Sequence, residues 1–231
     1  MLGPTYQEKR QILARTALLG KLSDTEIDAL LKYSHVECYP TGEEIYAKGS
    51  PGNCMMVVLR GKAKMRTISL EGKEIVLNTM NPGEIFGEIA LLDGEERSAD
   101  AVAMTDCELL ILNRRDVMPF FERHADICMM LIKILCERLR RTSEQVEDLV
   151  FRHVESRIAK ALLQLSENSG RPYVEGRVLQ LHLSQSELGH MVGITRESVN
   201  KQLKTWQRAR FVDLAKESII ILDPAALRQL V

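Results

Sequence analysis

The chain has 231 residues, 45% of them hydrophobic, and a formal net charge of −1. That is enough chain and apolar matter for two small domains or one larger one, and the near-neutral balance excludes a uniformly cationic coat for nucleic acid. The balance is uneven, with 12 Lys+Arg against 8 Asp+Glu in residues 151–231 and 19 against 24 before them, so only the C-terminal part is expected to meet a polyanion.

Residues 6–33 have helical spacing: Ile12, Leu18 and Leu19, then "LSDTEIDALLKY". Ser23 followed by Glu26 forms a capping-box pattern ahead of an apolar run. Residues 35–113 are punctuated by turn pairs, "PTGE", "KGSPGN", "RGK", "LEGK", "NPGE" and "LDGEE". Between them lie "CMMVVLR", "KAKMRTI", "EIVLNTM", "ADAVAM" and "CELLIL". Short β-rich runs at this spacing predict an antiparallel sandwich or barrel.

Within that region stands "FGEIALLDGEERSAD", residues 86–100, where Glu88 and Arg97 sit among apolar neighbours. A buried carboxylate or guanidinium is costly without a partner. Gly87 beside a short helical turn offers backbone N–H groups to an anion. Arg97 adds a forked cation, Ser98 a hydroxyl donor, and Ala99 room for close approach. Glu88 only accepts, and so suits the hydroxyls of a sugar. Donors for phosphate beside an acceptor for ribose predict a nucleotide, with one phosphate rather than three because no P-loop lysine is present. The alternative is a buried Glu88–Arg97 salt bridge that holds the barrel together.

A long helix is expected from Arg115 to about Val150, with Pro119 near its start. Ile127, Leu131, Ile134, Leu135, Leu139, Val146 and Leu149 recur at steps of three, four or seven. The narrow stripe predicts a dimer seam; the other reading is a helix packed on its own barrel. Then "ESRIAKALLQLSE" reads as helix and "NSGRPYVEGR" as loop.

Residues 183–206, "LSQSELGHMVGITRESVNKQLKTW", predict a helix-turn-helix. Ser184 and Glu187 form a second capping box. Leu188, Met191 and Val192 face inward, Gly189 allows a close crossing, and Gly193 suits a tight turn. Thr195 caps a second helix with Val199 and Leu203 as its core face. That leaves Arg196, Glu197, Asn200, Lys201 and Lys204 toward solvent, as in a helix that reads base edges. Ser184, Thr195 and Ser198 are further DNA-contact candidates. The alternative is two surface helices with a solvated face, against which the local excess of +4 and the downstream Arg208 and Arg210 weigh. Gln202 stands where an aliphatic residue is usual, so either Leu203 supplies the packing or Gln202 is partly exposed. "FVDLAKESIIILD" reads as a β-wing: 211–214, a turn near Lys216 and Glu217, then 218–222.

Cys38, Cys54, Cys107, Cys128 and Cys136 are odd in number and include no CxxC, which fits a reducing cytosol. "MLGPTYQEKRQIL" has no apolar signal core, and no run reaches the ~18 apolar residues of a membrane span. A cytoplasmic protein without membrane contact is expected. No nucleophile–base pair, metal-ligand set or Walker loop indicates an enzyme or a metal.

"FGEIALLDGEERSA" resembles the phosphate-binding cassette of cyclic-nucleotide-binding domains. "ITRESVNKQLK" resembles the recognition helix of the cyclic AMP receptor protein and fumarate-nitrate regulator family. The likeness covers nearly the whole chain and implies an α+β protein. Residues 1–114 would form a sensor β-barrel of jelly-roll type, 115–150 a dimerisation helix, and 151–231 a winged helix-turn-helix. It implies that Gly87, Glu88, Ile89 and Ala90 with Arg97, Ser98 and Ala99 hold a cyclic nucleotide. "ERLRRTSEQVEDL" resembles the part of the dimer helix that touches adenine, which carries Arg138, Thr142 and Ser143 into the site.

The resemblance thus implies a bacterial homodimeric transcription regulator that binds cyclic AMP and then palindromic double-stranded DNA, with RNA polymerase as a further partner. On that analogy the loops "SLEGKE" and "NSGRPYVEG" are its candidate contacts. The same fold with another effector or none, bound to DNA constitutively, is the alternative. The scattered cysteines disfavour an iron–sulfur sensor, and Ala99 lacks a hydroxyl common in cyclic GMP sites. His35, His124, His153, His182 and His190 offer haem ligands, and each also has a structural or exposed reading.

Overall fold

The run "CMMVVLR" lacks the alternation of a half-exposed strand because its strand is covered on both faces. In the computed structural model, which describes residues 4–169, 171–173, 178–181, 183–215 and 218–231, it is β3 (Cys54–Arg60). Met55, Val57 and Leu59 point to one core, Met56 and Val58 to another. The described chain divides into two compact units, Met1–Thr67 with Leu77–Arg140, and Ile68–Val76 with Arg141–Val231.

The N-terminal half of the chain forms two four-stranded antiparallel sheets. One has the order β1 (His35–Tyr39), β8 (Cys107–Asn113), β3, β6 (Ile85–Phe86). The other has the order β2 (Glu44–Tyr46), β7 (Asp100–Ala103), β4 (Ala63–Ile68), β5 (Glu74–Met80). They share a core of Met56, Val58, Met65, Met80, Phe86, Leu109 and Ile111. The sheets stay open rather than closing into a barrel, and the arrangement is a jelly roll. β1, β2 and β6 are not expected from the sequence, being short or only partly apolar.

On the outer face of the first sheet pack α1 (Tyr6–Arg15), α2 (Asp24–Tyr33), α4 (Arg114–Arg123) and the start of α5 (Ala125–Phe151); α3 (Glu88–Asp93) follows β6. The Ser23–Glu26 capping box forms as expected, and Thr5–Glu8 forms another. The single long helix expected from Arg115 is instead two. His124 breaks it, with φ −123° and ψ 85°. Its ring nitrogen Nε2 lies 2.6 Å from the Glu26 carboxylate, and its carbonyl accepts the first bonds of α5 from Ile127 and Cys128 at 3.1 and 3.2 Å.

The second unit holds a core of Ile158 and Leu162 from α6 (Val154–Ser169), Leu188 and Val192 from α7 (Gln185–Val192), and Val199, Leu203 and Trp206 from α8 (Arg196–Arg208). Its sheet runs β11 (Val212–Ala215), β12 (Ser218–Ile221), β10 (Val178–Leu181), β9 (Arg171–Tyr173), and α9 (Pro224–Arg228) closes the chain's last turn. The wing is present; its expected turn residues Lys216 and Glu217, like His182, lie outside the described residues. The expected loop "NSGRPYVEGR" is corrected in part, since α6 runs to Ser169 and Arg171–Tyr173 is an edge strand. An edge is where a strand tolerates Pro172 and its missing donor.

Gly189 sits where α7 meets the turn into α8. A Cβ there would lie 2.7 Å from the carbonyl oxygen of Ile194. Gly189→Ala is therefore expected to cost the second unit about 1–3 kcal/mol. Trp206, the only tryptophan and 3% exposed, reports that unit by fluorescence during urea unfolding. An unchanged midpoint would contradict the close crossing.

Candidate functional site

Arg97 is buried, 4% exposed, and its backbone is clamped by two bonds, its N–H to Ser50 O at 2.8 Å and its carbonyl from Gly49 N–H at 2.8 Å. The guanidinium donates to Gly87 O at 2.7 Å and to Cys54 O at 2.8 Å, with Cys54 Sγ 3.2 Å away. It lies 4.3 Å from the centroid of the Tyr46 ring. Burial pushes the Tyr46 phenol above its ordinary range, and the Arg97 charge pulls the other way. Arg97 Nε is buried and has no hydrogen-bond partner. A buried donor left unpaired is costly, and an anion would answer it.

Gly87 makes this packing possible. It takes φ 78°, and a Cβ on it would fall 2.6 Å from Arg97 Nη1. Gly52 is equally tight, since a Cβ there would fall 2.1 Å from Ala90 Cβ. Ile89 is 43% exposed and Ser98 is exposed, while Ala90 and Ala99 are buried.

Glu88 is 1% exposed, and no Glu88–Arg97 salt bridge forms among the described residues. That alternative is corrected. Glu88 Oε1 instead accepts from Arg138 Nη1 at 2.5 Å, while Arg138 Nη2 donates to Ile85 O at 2.5 Å. The structure so brings Gly87, Glu88, Arg97 and Arg138 together. Cys54 and Tyr46 are members that sequence reasoning missed, because their contacts with Arg97 span 43 and 51 positions and carry no local signal. Thr142 and Ser143 are exposed on α5 and belong to the second compact unit.

The apolar stripe of α5 divides. Ile127 and Leu131 are buried in their own unit's core, and Ile134 and Leu135 pack against it. A different row faces solvent: Met129, Ile132, Cys136, Leu139, Ser143, Val146 and Val150, at alternating steps of three and four. Of the apolar stripe expected in the seam, Leu139, Val146 and Leu149 are exposed, while Ile127, Leu131, Ile134 and Leu135 belong to or pack on their own unit's core.

In the helix-turn-helix, Ser184 accepts from Glu187 N at 3.1 Å and Thr195 from Ser198 N at 3.3 Å, so these hydroxyls cap helices. Gly193 takes φ 68° at the turn. Val199 and Leu203 are fully buried, Gln202 and Asn200 are half-buried, and Arg196, Glu197, Lys201 and Lys204 are exposed. Bonds from its own backbone N–H and from Thr195 hold the Glu197 carboxyl below its ordinary range, which keeps it an acceptor. Three of the histidines sit beside carboxylates: His35 with Glu37, His124 with Glu26, and His190 with Glu74. No described helix is long and apolar enough to cross a membrane.

A cyclic nucleotide-binding domain model matches residues 36–124, and a Crp-like helix-turn-helix domain model matches residues 156–230. The chain is 32% identical over 219 residues to a CRP-like cAMP-activated global transcriptional regulator of Mycobacterium tuberculosis, with 94% of this chain and 97% of that one covered. It is 33% identical over 210 residues to the cyclic AMP receptor protein of Thermus thermophilus, covering 91% and 90%. Among solved structures, the c-di-GMP responsive global regulator CLP of Xanthomonas campestris matches with a TM-score of 0.77 at 25% identity, covering 86% of this chain and 99% of that one.

Removing one partner of a buried ion pair leaves the other uncompensated. Arg138→Ala is expected to lower the unfolding free energy of the sensor by about 3 kcal/mol, and Glu88→Gln in the same chain to restore most of it. Urea unfolding of the four-member double-mutant cycle measures this; additive losses would contradict the pair.

Proposed function

Because the chain belongs to the cyclic AMP receptor protein and fumarate-nitrate regulator family of transcription regulators, we propose that cyclic AMP is its effector and that the ligand-bound homodimer binds a palindromic DNA site. The observation that carries the effector is the orphaned, buried Nε of Arg97 beside the buried carboxylate of Glu88. The cyclic phosphate takes Arg97 and Ser98, with Gly87, Ile89, Ala90 and Ala99 forming the close wall. The ribose 2′-hydroxyl donates to Glu88, which gives up part of its bond to Arg138. Thr142 and Ser143 offer hydroxyls to the base once two copies pair along α5.

The exposed row from Met129 to Val150 supplies the apolar face for that pairing. Occupancy then biases how the two helices pair, and with them the spacing of the two recognition helices. Arg196, Glu197 and Lys201 read base edges, assisted by Asn200 and Lys204, while Ser184, Thr195 and Ser198 face the backbone. Contact with RNA polymerase and a cytoplasmic location complete the reading.

A second reading is the same fold with another effector or none. Glu88 already has a strong partner in Arg138, so the sensor is satisfied on its acidic side without ligand. A structural relative described as c-di-GMP responsive belongs to the same fold.

Calorimetric titration separates these. Cyclic AMP is expected to bind, and Arg97→Ala to weaken it by about 10–100-fold through loss of charge-assisted bonds. Absence of binding at about 1 mM ligand would remove cyclic AMP as effector. In gel-shift assays the first reading predicts tighter DNA binding with ligand, the second equal binding without it.

A further inference from the structure

Arg210 is the one non-glycine residue among the described residues with a positive φ, 61°. It follows Ala209, which caps α8, at the position where helices favour glycine. The N–H groups of Arg210 and Phe211 turn back to the carbonyls of Gln207 and Trp206 at 3.1 and 2.9 Å. There a Cβ crowds the backbone; glycine would be relaxed and asparagine tolerated. The Arg210 side chain is exposed and has no ion pair or hydrogen bond among the described residues. Strain kept at such a residue points to a use for the side chain.

Its surroundings indicate which use. Glu197, Lys201, Lys204 and Arg208 lie along one face of α8 at steps of four, three and four, opposite Val199, Leu203 and Trp206. Residues 198–212 contain no acid, and the next one, Asp213, is engaged by Gln207 Nε2 at 2.8 Å. Beyond Glu197, that face continues as Lys201, Lys204, Arg208 and Arg210 with no acid among them in the sequence. The helical part alone spans about 10 Å. A solvated helix face ordinarily alternates charge signs. A row of one sign fits a polymer whose opposite charges repeat.

We infer that Arg208 and Arg210 extend the DNA interface beyond the groove entered by the N-terminal half of α8, each holding a backbone phosphate that flanks the site. This rests on the DNA-binding reading above. Such contacts add affinity and fix position without reading bases. The strained backbone at Arg210 aims a cation where glycine would leave none.

The test measures the affinity of the full chain for a palindromic duplex obtained by selection, between 50 and 200 mM KCl, for wild type, Arg208→Ala, Arg210→Asn and Arg210→Gly. Asn keeps the left-handed backbone and removes only the charge. Each variant is expected to weaken binding by about 10-fold. Each should also flatten the slope of log affinity against log salt by about 1.8, one contact in each half-site, with base preference unchanged. Arg210→Gly should in addition raise the melting temperature by about 3 °C. Unchanged affinity and slope in Arg208→Ala and Arg210→Asn, with intact wild-type binding, would overturn this inference alone, as would altered base preference. Failure of wild type to bind any duplex would overturn the DNA-binding reading and this inference with it.

Discussion

A carboxylate taken out of water must be answered by a cation, and the answer to Glu88 comes from α5. Arg138 meets it at 2.5 Å, and the same guanidinium reaches the carbonyl of Ile85 one residue before the strand ends. The helix that supplies this cation also carries the exposed row Met129, Ile132, Leu139, Val146 and Val150. The cation that answers Glu88 and the exposed apolar row thus lie on the same helix. Whatever draws Glu88 away from Arg138 changes the charge balance on that element.

Arg97 completes the logic from the other side. It is held by two carbonyls and an aromatic face, yet its Nε is left over. Glu88 and Arg97 are buried within one short segment, and each faces away from the obvious partner. A structural salt bridge would have joined them. The two charges are held separately, Glu88 by Arg138 and Arg97 by backbone carbonyls.

The cassette was legible because its chemistry is local: glycine, acceptor, forked cation and hydroxyl within twelve positions. The helix-turn-helix was legible for the same reason, through Ser184, Gly189, Gly193 and Thr195, whose roles depend on near neighbours. What the sequence hid depends on distance along the chain. Arg138 lies 50 positions from Glu88, and only family resemblance brought it in. Cys54 and Tyr46 gave no sign. The break at His124 depends on Glu26 of α2, a contact no periodicity encodes. Apolar residues cover two faces of α5, and spacing alone does not tell the face turned to its own core from the face turned outward.

Under the proposed function, Glu88 trades part of its bond to Arg138 for a ribose hydroxyl. Calorimetric comparison of cyclic AMP with its 2′-deoxy analogue, in wild type and in Glu88→Ala, tests it most directly. Wild type is expected to lose about 10–100-fold in affinity for the analogue, which lacks the donated hydroxyl, and Glu88→Ala is expected not to distinguish the two. Equal affinity of wild type for both ligands would contradict it.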